Sequence, residues 1–213
     1  MSGKVAVVDY GMGNLRSVWQ ALAHVAGGRE VVVTADPAEL RAAERVVFPG
    51  QGAMPDCMRE LDARGLRPAV LEAARNKPFL GICIGQQMLF EHSQEGDVPG
   101  LCVFKGEVRR FPDDRMVGAD GARLKVPHMG WNEVWQKRPH PLWANIPDGA
   151  RFYYVHSYYV DPADPAIVAA TTDYGIPFTG AVAQANIFAV QFHPEKSAEA
   201  GLQLLSNFMS WKP

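Results

Sequence analysis

The stretch from Phe79 to Phe90 constrains this chain more than any other. It opens as an apolar, β-favouring run and closes as a pattern that suits a helix. Cys83 stands at the junction, with Gly81 and Gly85 two residues to either side, the pattern of a nucleophile elbow with cysteine in the serine position. The reason is steric. A sharp strand-to-helix turn strains the backbone at its apex, and only residues without bulk fit where the two arms nearly touch. Such a turn also puts the sulfur at a helix N-terminus, whose partial positive charge favours the reactive thiolate. Taken alone, the pattern equally describes a buried structural cysteine, since free cysteine is among the most buried residue types.

The segments before the elbow alternate between two periodicities. Lys4–Asp9 reads as a buried strand, and Leu15, Val18, Leu22 and Val25 recur at helical spacing until Gly27 and Gly28. A strand over Glu30–Thr34, a short helix opened by Asp36 and Pro37, and a strand over Arg45–Phe48 follow. Met54–Asn76 is helical with interruptions at Gly65 and Pro68, and Pro78–Ile82 leads into the elbow. Strands alternating with helices imply an α/β fold with a doubly wound, mostly parallel sheet and flanking helices, its chemistry at the C-terminal strand ends. The Gly50–Gln51–Gly52 loop and Cys83 both fall at such ends. Gly11 and Gly13 lack the third glycine of a dinucleotide loop, because Arg16 takes its place.

Beyond Gly96 the texture changes to short β segments, which add antiparallel strands in the second half. The expected strands are Leu101–Phe104, Glu107–Phe111, Asn132–Gln136, Phe152–Val160, Ala166–Thr171, Phe178–Gln184 and Ile187–Gln191. Pro112–Leu124 reads as a surface loop, and Ser197–Trp211 as a closing helix with Ser197 as N-cap and Leu202, Leu205, Phe208 and Met209 inside. No linker or internal repeat divides the 213 residues, so one domain over 1–213 is expected.

A net charge of −2 gives no electrostatic case for nucleic acid or an anionic membrane surface, and no apolar run has the length of a span. Met1–Lys4 runs straight into a strand rather than a leader peptide, and three widely spaced cysteines suit a reducing compartment, so a cytoplasmic location is expected. The six histidines show no metal-ligand spacing; no metal and no cofactor are expected. His24, His92 and His140 read as surface or helix residues.

The second informative stretch is Val190–Ser197, which carries His193 and Glu195 around Pro194. In extended backbone, residues two apart point to the same side, and Pro194 biases His193 toward that form. An imidazole and a carboxylate leaving one strand end beside Cys83 make a nucleophile, a base and an orienting acid. Backbone N–H groups of Ile84 and of the Gln51–Gly52 loop could form an oxyanion hole. The chemistry they suit is acyl transfer through a thioester.

On Gly81–Gly85 with Gln87, and on His193–Pro194–Glu195, the chain resembles the class I (triad) glutamine amidotransferases. Three more stretches carry the likeness: Asp9–Ser17, Pro127–Asn132 and Tyr153–Tyr159. The resemblance implies that Cys83 attacks the carboxamide of glutamine and that ammonia passes through a tunnel to a partner cyclase subunit built as a (β/α)8 barrel, in a heterodimer. It assigns Gly50, Gln87, Glu95, Ser157 and Tyr158 to glutamine binding, and Asn14, Trp131, Tyr153 and Lys196 to the partner interface. Two positions depart from the family's habit: Gln51, where valine is commoner, and Gln86, where methionine is frequent. The rival readings are an amidotransferase serving a different synthase, against which Pro127–Asn132 speaks, and a non-catalytic binding domain, which would have lost a triad member.

Overall fold

The computed structural model describes residues 3–112, 114–118 and 121–213. Met1, Ser2 and three positions of the 112–124 loop expectation therefore lie outside the described residues.

The first half alternates as its periodicity requires: β1 (Val5–Val8), α1 (Leu15–His24), β2 (Val31–Thr34), α2 (Pro37–Ala42), β3 (Arg45–Gly50), α3 (Met54–Ala63), α4 (Arg67–Asn76), β4 (Phe79–Cys83) and α5 (Ile84–Gln87). Asp36 caps α2 by accepting the Ala38 N–H at 2.8 Å. The second half supplies β5 (His92–Ser93), β6 (Val98–Pro99), β7 (Gly106–Arg110), β8 (His128–Glu133), β9 (Trp135–Gln136), β10 (Arg151–His156), β11 (Tyr158–Pro162), β12 (Val168–Asp173), β13 (Pro177–Gln184) and β14 (Ile187–Val190). Helix α6 (Ala198–Ser210) closes the chain.

One sheet runs in the order β2-β1-β3-β4-β14-β13-β11-β7-β5-β6, with β12 and β9 off that path beside β13. Strands β2, β1, β3, β4 and β14 are mutually parallel, and β13, β11 and β7 continue antiparallel. The parallel strands β1 and β4 are buried throughout, as a sheet covered on both faces demands. Strands β8 and β10 form a separate antiparallel ribbon.

Several expectations are corrected; Asn132–Gln136, for one, breaks at Val134, where β8 pairs with β10 and β9 with β12. Phe152–Val160 is not one strand: it breaks at Ser157, so that β10 pairs with β8 while β11 joins the main sheet. Leu101–Phe104 is not a strand. Cys102 has φ +54°, and the N–H groups of residues 101–104 bond back to the Met88, Leu89 and Phe90 carbonyls. The same region stops α5 after a single turn, because Leu89 and Phe90 donate to carbonyls three residues back. Finally, Ser197 occupies the N-cap position of α6 without capping it. Its hydroxyl donates to the His193 carbonyl at 2.6 Å and accepts the Tyr153 N–H at 2.9 Å. On α6, Leu204 is buried and Leu202 only half-buried.

Candidate active site

The elbow is built by contact. Cys83 has φ +56° and ψ −115°, a conformation that L-residues rarely adopt, and costs of order 1–3 kcal/mol accompany such geometry. Its flanks explain how the turn closes. A Cβ on Gly85 would lie 1.9 Å from the Phe48 carbonyl oxygen, and one on Gly81 would lie 2.9 Å from Ala189 Cβ. We expect Gly85→Ala to lower stability by about 3 kcal/mol, since backbone of β3 cannot yield as a flexible side chain could. The urea midpoint reads this; an unchanged midpoint would mean that the turn relaxes.

His193 follows β14, with extended φ −104° and its N–H donated to the Tyr153 carbonyl at 2.9 Å. The strand does not continue to Glu195, however. Pro194–Lys196 is a 3-10 turn, and this turn, not strand alternation, folds the carboxylate back onto the ring. His193 Nδ1 lies 2.8 Å from Glu195 Oε1, with side chains 3% and 1% exposed. A carboxylate accepts, so Nδ1 carries a proton and Nε2 is the ring nitrogen left free to exchange one. Nε2 is buried without a hydrogen-bond partner among the described residues and lines the same cavity as Cys83. Burial opposes the imidazolium, but Cys83 on one side and Glu195 on the other outweigh it and hold the imidazole well above its ordinary pKa.

The cavity measures about 230 Å³, small for a drug-sized ligand and suited to a single amino acid. Of the residues expected to bind glutamine, Gln87, Glu95, Ser157 and Tyr158 line it, together with Gln51, Gly52 and Ile84. Gly50 lies beneath the lining, packed so closely that a Cβ would stand 2.7 Å from Ile84 Cβ and 2.8 Å from the Tyr10 hydroxyl. Glu95 accepts the Met54 N–H at 2.8 Å, and burial raises its pKa.

The Gln51–Gly52 loop has an anchor that no sequence motif announces. Burial raises the Cys57 thiol pKa to about 11, so it keeps its proton and lies 3.6 Å from the Gln51 carbonyl as donor. A trans peptide sends its carbonyl and N–H in opposite directions, so the Gly52 N–H points away from Cys57. Gln51 and Gly52 are both exposed.

Two buried histidines adjoin the cavity: His156 lines it, and His128 lies behind His156. His156 Nδ1 lies 2.8 Å from the Tyr158 carbonyl, His156 Nε2 lies 3.0 Å from His128 Nδ1, and His128 Nε2 lies 3.3 Å from Asn132 Nδ2. A carbonyl only accepts, so this one oxygen fixes both tautomers: each ring donates from Nδ1 and accepts at Nε2. Burial lowers the pKa of His128 to about 4 and of His156 to about 3. His140, expected at the surface, is half-buried against Phe188 and Trp211, with its pKa lowered to about 4 by burial and Arg138.

The expected interface residues fall into two places. Trp131 sits opposite Tyr153 across the β8/β10 ribbon, with ring centroids 6.2 Å apart, and Lys196 Nζ lies 5.9 Å from the Tyr153 ring centroid. Asn14 stands at the N-terminus of α1, which packs against the Pro194–Lys196 turn. Trp131 and its neighbour Met129 are 46% and 63% exposed, uncovered apolar surface on one edge of the ribbon.

Residues 6–211 match the family Glutamine amidotransferase class-I, and the chain belongs to that family. Solved structures share the fold: a putative GMP synthase subunit from Thermoplasma acidophilum superposes with TM-score 0.71 at 19% identity, over 98% of this chain and 93% of that one. Relatives sharing far more sequence narrow the placement. The imidazole glycerol phosphate synthase subunit HisH of Aromatoleum aromaticum is 72% identical over 98% of this chain and 99% of its own length. That of Dechloromonas aromatica is also 72% identical, over 98% and 97%, and that of Thiobacillus denitrificans 62%, over 100% and 93%. Within its class, the chain belongs with these HisH subunits.

Proposed function

We propose that the chain is the glutaminase of an imidazole glycerol phosphate synthase and that Cys83, His193 and Glu195 carry its chemistry. The observation that supports this most is Cys83, strained at the elbow apex, in one cavity with an imidazole whose Nδ1 is held by a buried carboxylate. His193 Nε2 holds the proton given up by the Cys83 thiol, as its raised pKa favours, and the thiolate attacks the glutamine carboxamide carbon. The N–H groups of Ile84 and of the Gln51–Gly52 loop receive the oxyanion. The imidazolium then protonates the departing ammonia, leaving a glutamyl thioester. Water, activated by the same nitrogen, releases glutamate and restores the thiol.

Glutamine is held at its amino-acid end by Glu95 and by backbone around Ser157 and Tyr158, and by Gln87 through the Oε1 that its own network leaves unpaired. Glu95→Gln should raise KM for glutamine about tenfold or more, with kcat changed much less, because a binding contact rather than a transition-state contact is lost. Equal KM values would remove Glu95 from the site.

The ammonia serves a partner cyclase subunit built as a (β/α)8 barrel, which pairs with this chain as a heterodimer in the cytoplasm. There it joins a phosphoribulosyl-formimino aminoimidazole carboxamide ribonucleotide to give imidazole glycerol phosphate and aminoimidazole carboxamide ribonucleotide, in histidine biosynthesis. Asn14, Trp131, Tyr153 and Lys196 face this partner, and the exposed apolar ribbon edge supports that assignment. No helix of the described residues is long and apolar enough to cross a membrane.

The test is glutamate release by the chain alone and with the cyclase plus its nucleotide ligand. We expect slow release alone, with the exposed Gln51–Gly52 loop rearranging on activation, and strong stimulation in the liganded complex. Rates independent of the partner would move the chain to another synthase; no release in any mixture would favour a binding module.

A further inference from the structure

We propose that Gln191 is a catalytic residue that holds and charge-stabilises the Cys83 sulfur by donating a side-chain N–H to it. This rests on Cys83 being the nucleophile. Gln191 directly follows β14, is 0% exposed, and is pinned by its backbone N–H to the Gly180 carbonyl at 2.9 Å. Its side-chain Nε2 lies 3.7 Å from Cys83 Sγ.

The orientation of this amide is forced. Gln87 Nε2 lies 3.0 Å from the Tyr158 carbonyl and 2.9 Å from Gln191 Oε1. The Tyr158 oxygen can only accept, so the Gln87 group facing it is the NH₂. The second hydrogen of that NH₂ goes to Gln191 Oε1, which turns Gln191 Nε2 toward the sulfur. Polarity thus runs without ambiguity from one peptide oxygen to the nucleophile. An N–H donor at a sulfur strengthens as that sulfur becomes negative, and in a buried site it needs no rearrangement to do so. Of the two polar ends of this buried side chain, Oε1 is taken up by the Gln87 N–H, and Nε2 has the sulfur as its partner.

The test separates this role from packing and from the glutaminase reading itself. In Gln191→Met, which keeps the length and removes the donor, iodoacetamide alkylation of the Cys83-containing peptide should slow about tenfold at neutral pH and its pH profile should move alkaline. In the cyclase complex, kcat for glutamine should fall about 10–100-fold, a larger change than the rise in KM that follows from releasing Gln87. Gln191→Glu, which opposes a carboxylate to the sulfur, should slow alkylation further. In the unaltered chain, the Gln191 side-chain amide resonance should shift when Cys83 is alkylated, a readout that needs no variant to fold. An unaltered alkylation profile in a folded variant, or a resonance blind to the state of Cys83, would overturn the assignment. Alkylation requires no glutamine, so a failed glutaminase assay leaves this test standing.

Discussion

Cys83→Ala is expected to reduce glutamine hydrolysis by about 10⁴-fold or more, to the background of the assay. The thioester route has no second nucleophile: among the cavity-lining residues, Cys83 alone has a thiol, and Ser157 has no base assigned to it. His193→Ala should cost nearly as much, and the double variant little more than either single one, because removing one member of a unit already abolishes the route. Glutamate release by the complex measures all three. Ammonia supplied as an ammonium salt should still support the cyclase reaction, which separates loss of hydrolysis from loss of assembly. Additive losses in the double variant would argue that Cys83 and His193 do not act on the same step. Cys83→Gly offers a complementary measurement, for glycine accepts φ +56° at no steric cost; it should be equally inactive yet about 1 kcal/mol more stable.

The second large effect is acid sensitivity beginning well above the carboxylate range. His128 and His156 have pKa values lowered to about 4 and about 3 in the folded chain, whereas an unfolded histidine titrates near 6.5. A depressed group binds more protons in the unfolded state, so its contribution is complete above about pH 6.5 and is lost as pH falls toward the folded values. Each of the two can remove at most about 1.4 kcal/mol per pH unit in that window, and half-buried His140 less. His193 acts with the opposite sign. Its raised pKa keeps it charged in both states below pH 6, so it adds nothing to the acid loss and weakens the fold only on the alkaline side. Urea midpoints between pH 7.5 and 5 test this, and His128→Gln should flatten the slope. Stability constant down to pH 5 would contradict the buried, neutral pair.

Much of the fold was legible because its causes are local. Gly81 and Gly85 announce the elbow through the very contacts that exclude side chains there, and the alternation of strands with helices marked the parallel half. The pairing of His193 with Glu195 was also readable, although its cause was misjudged: Pro194 starts a turn rather than extending a strand. What could not be read depended on partners distant in sequence. Nothing in Phe152–Val160 marks Ser157 as the point where the chain changes sheets, because both sides are β-favouring and aromatic. His128 and His156 look like ordinary polar residues until the fold buries them together. Gln191 and Cys57 carry no motif of their own; their spacing from His193 and Gln51 gains meaning only when strand ends and helix α3 are set side by side.

The sheet places Gly50 opposite Cys83 on one side and Val190 beside Ile82 on the other. The Gln51–Gly52 loop, Cys83 and His193 thus follow three neighbouring parallel strands that come from distant parts of the chain. Adjacent strands lie about 4.8 Å apart, and one residue of slip along a strand is about 3.3 Å with the side chains reversed. The accuracy of this active site is therefore the accuracy of a ladder of main-chain hydrogen bonds. A substitution deep in β3 or β14 that shifted registry by a single rung would silence the enzyme without touching any group that meets glutamine.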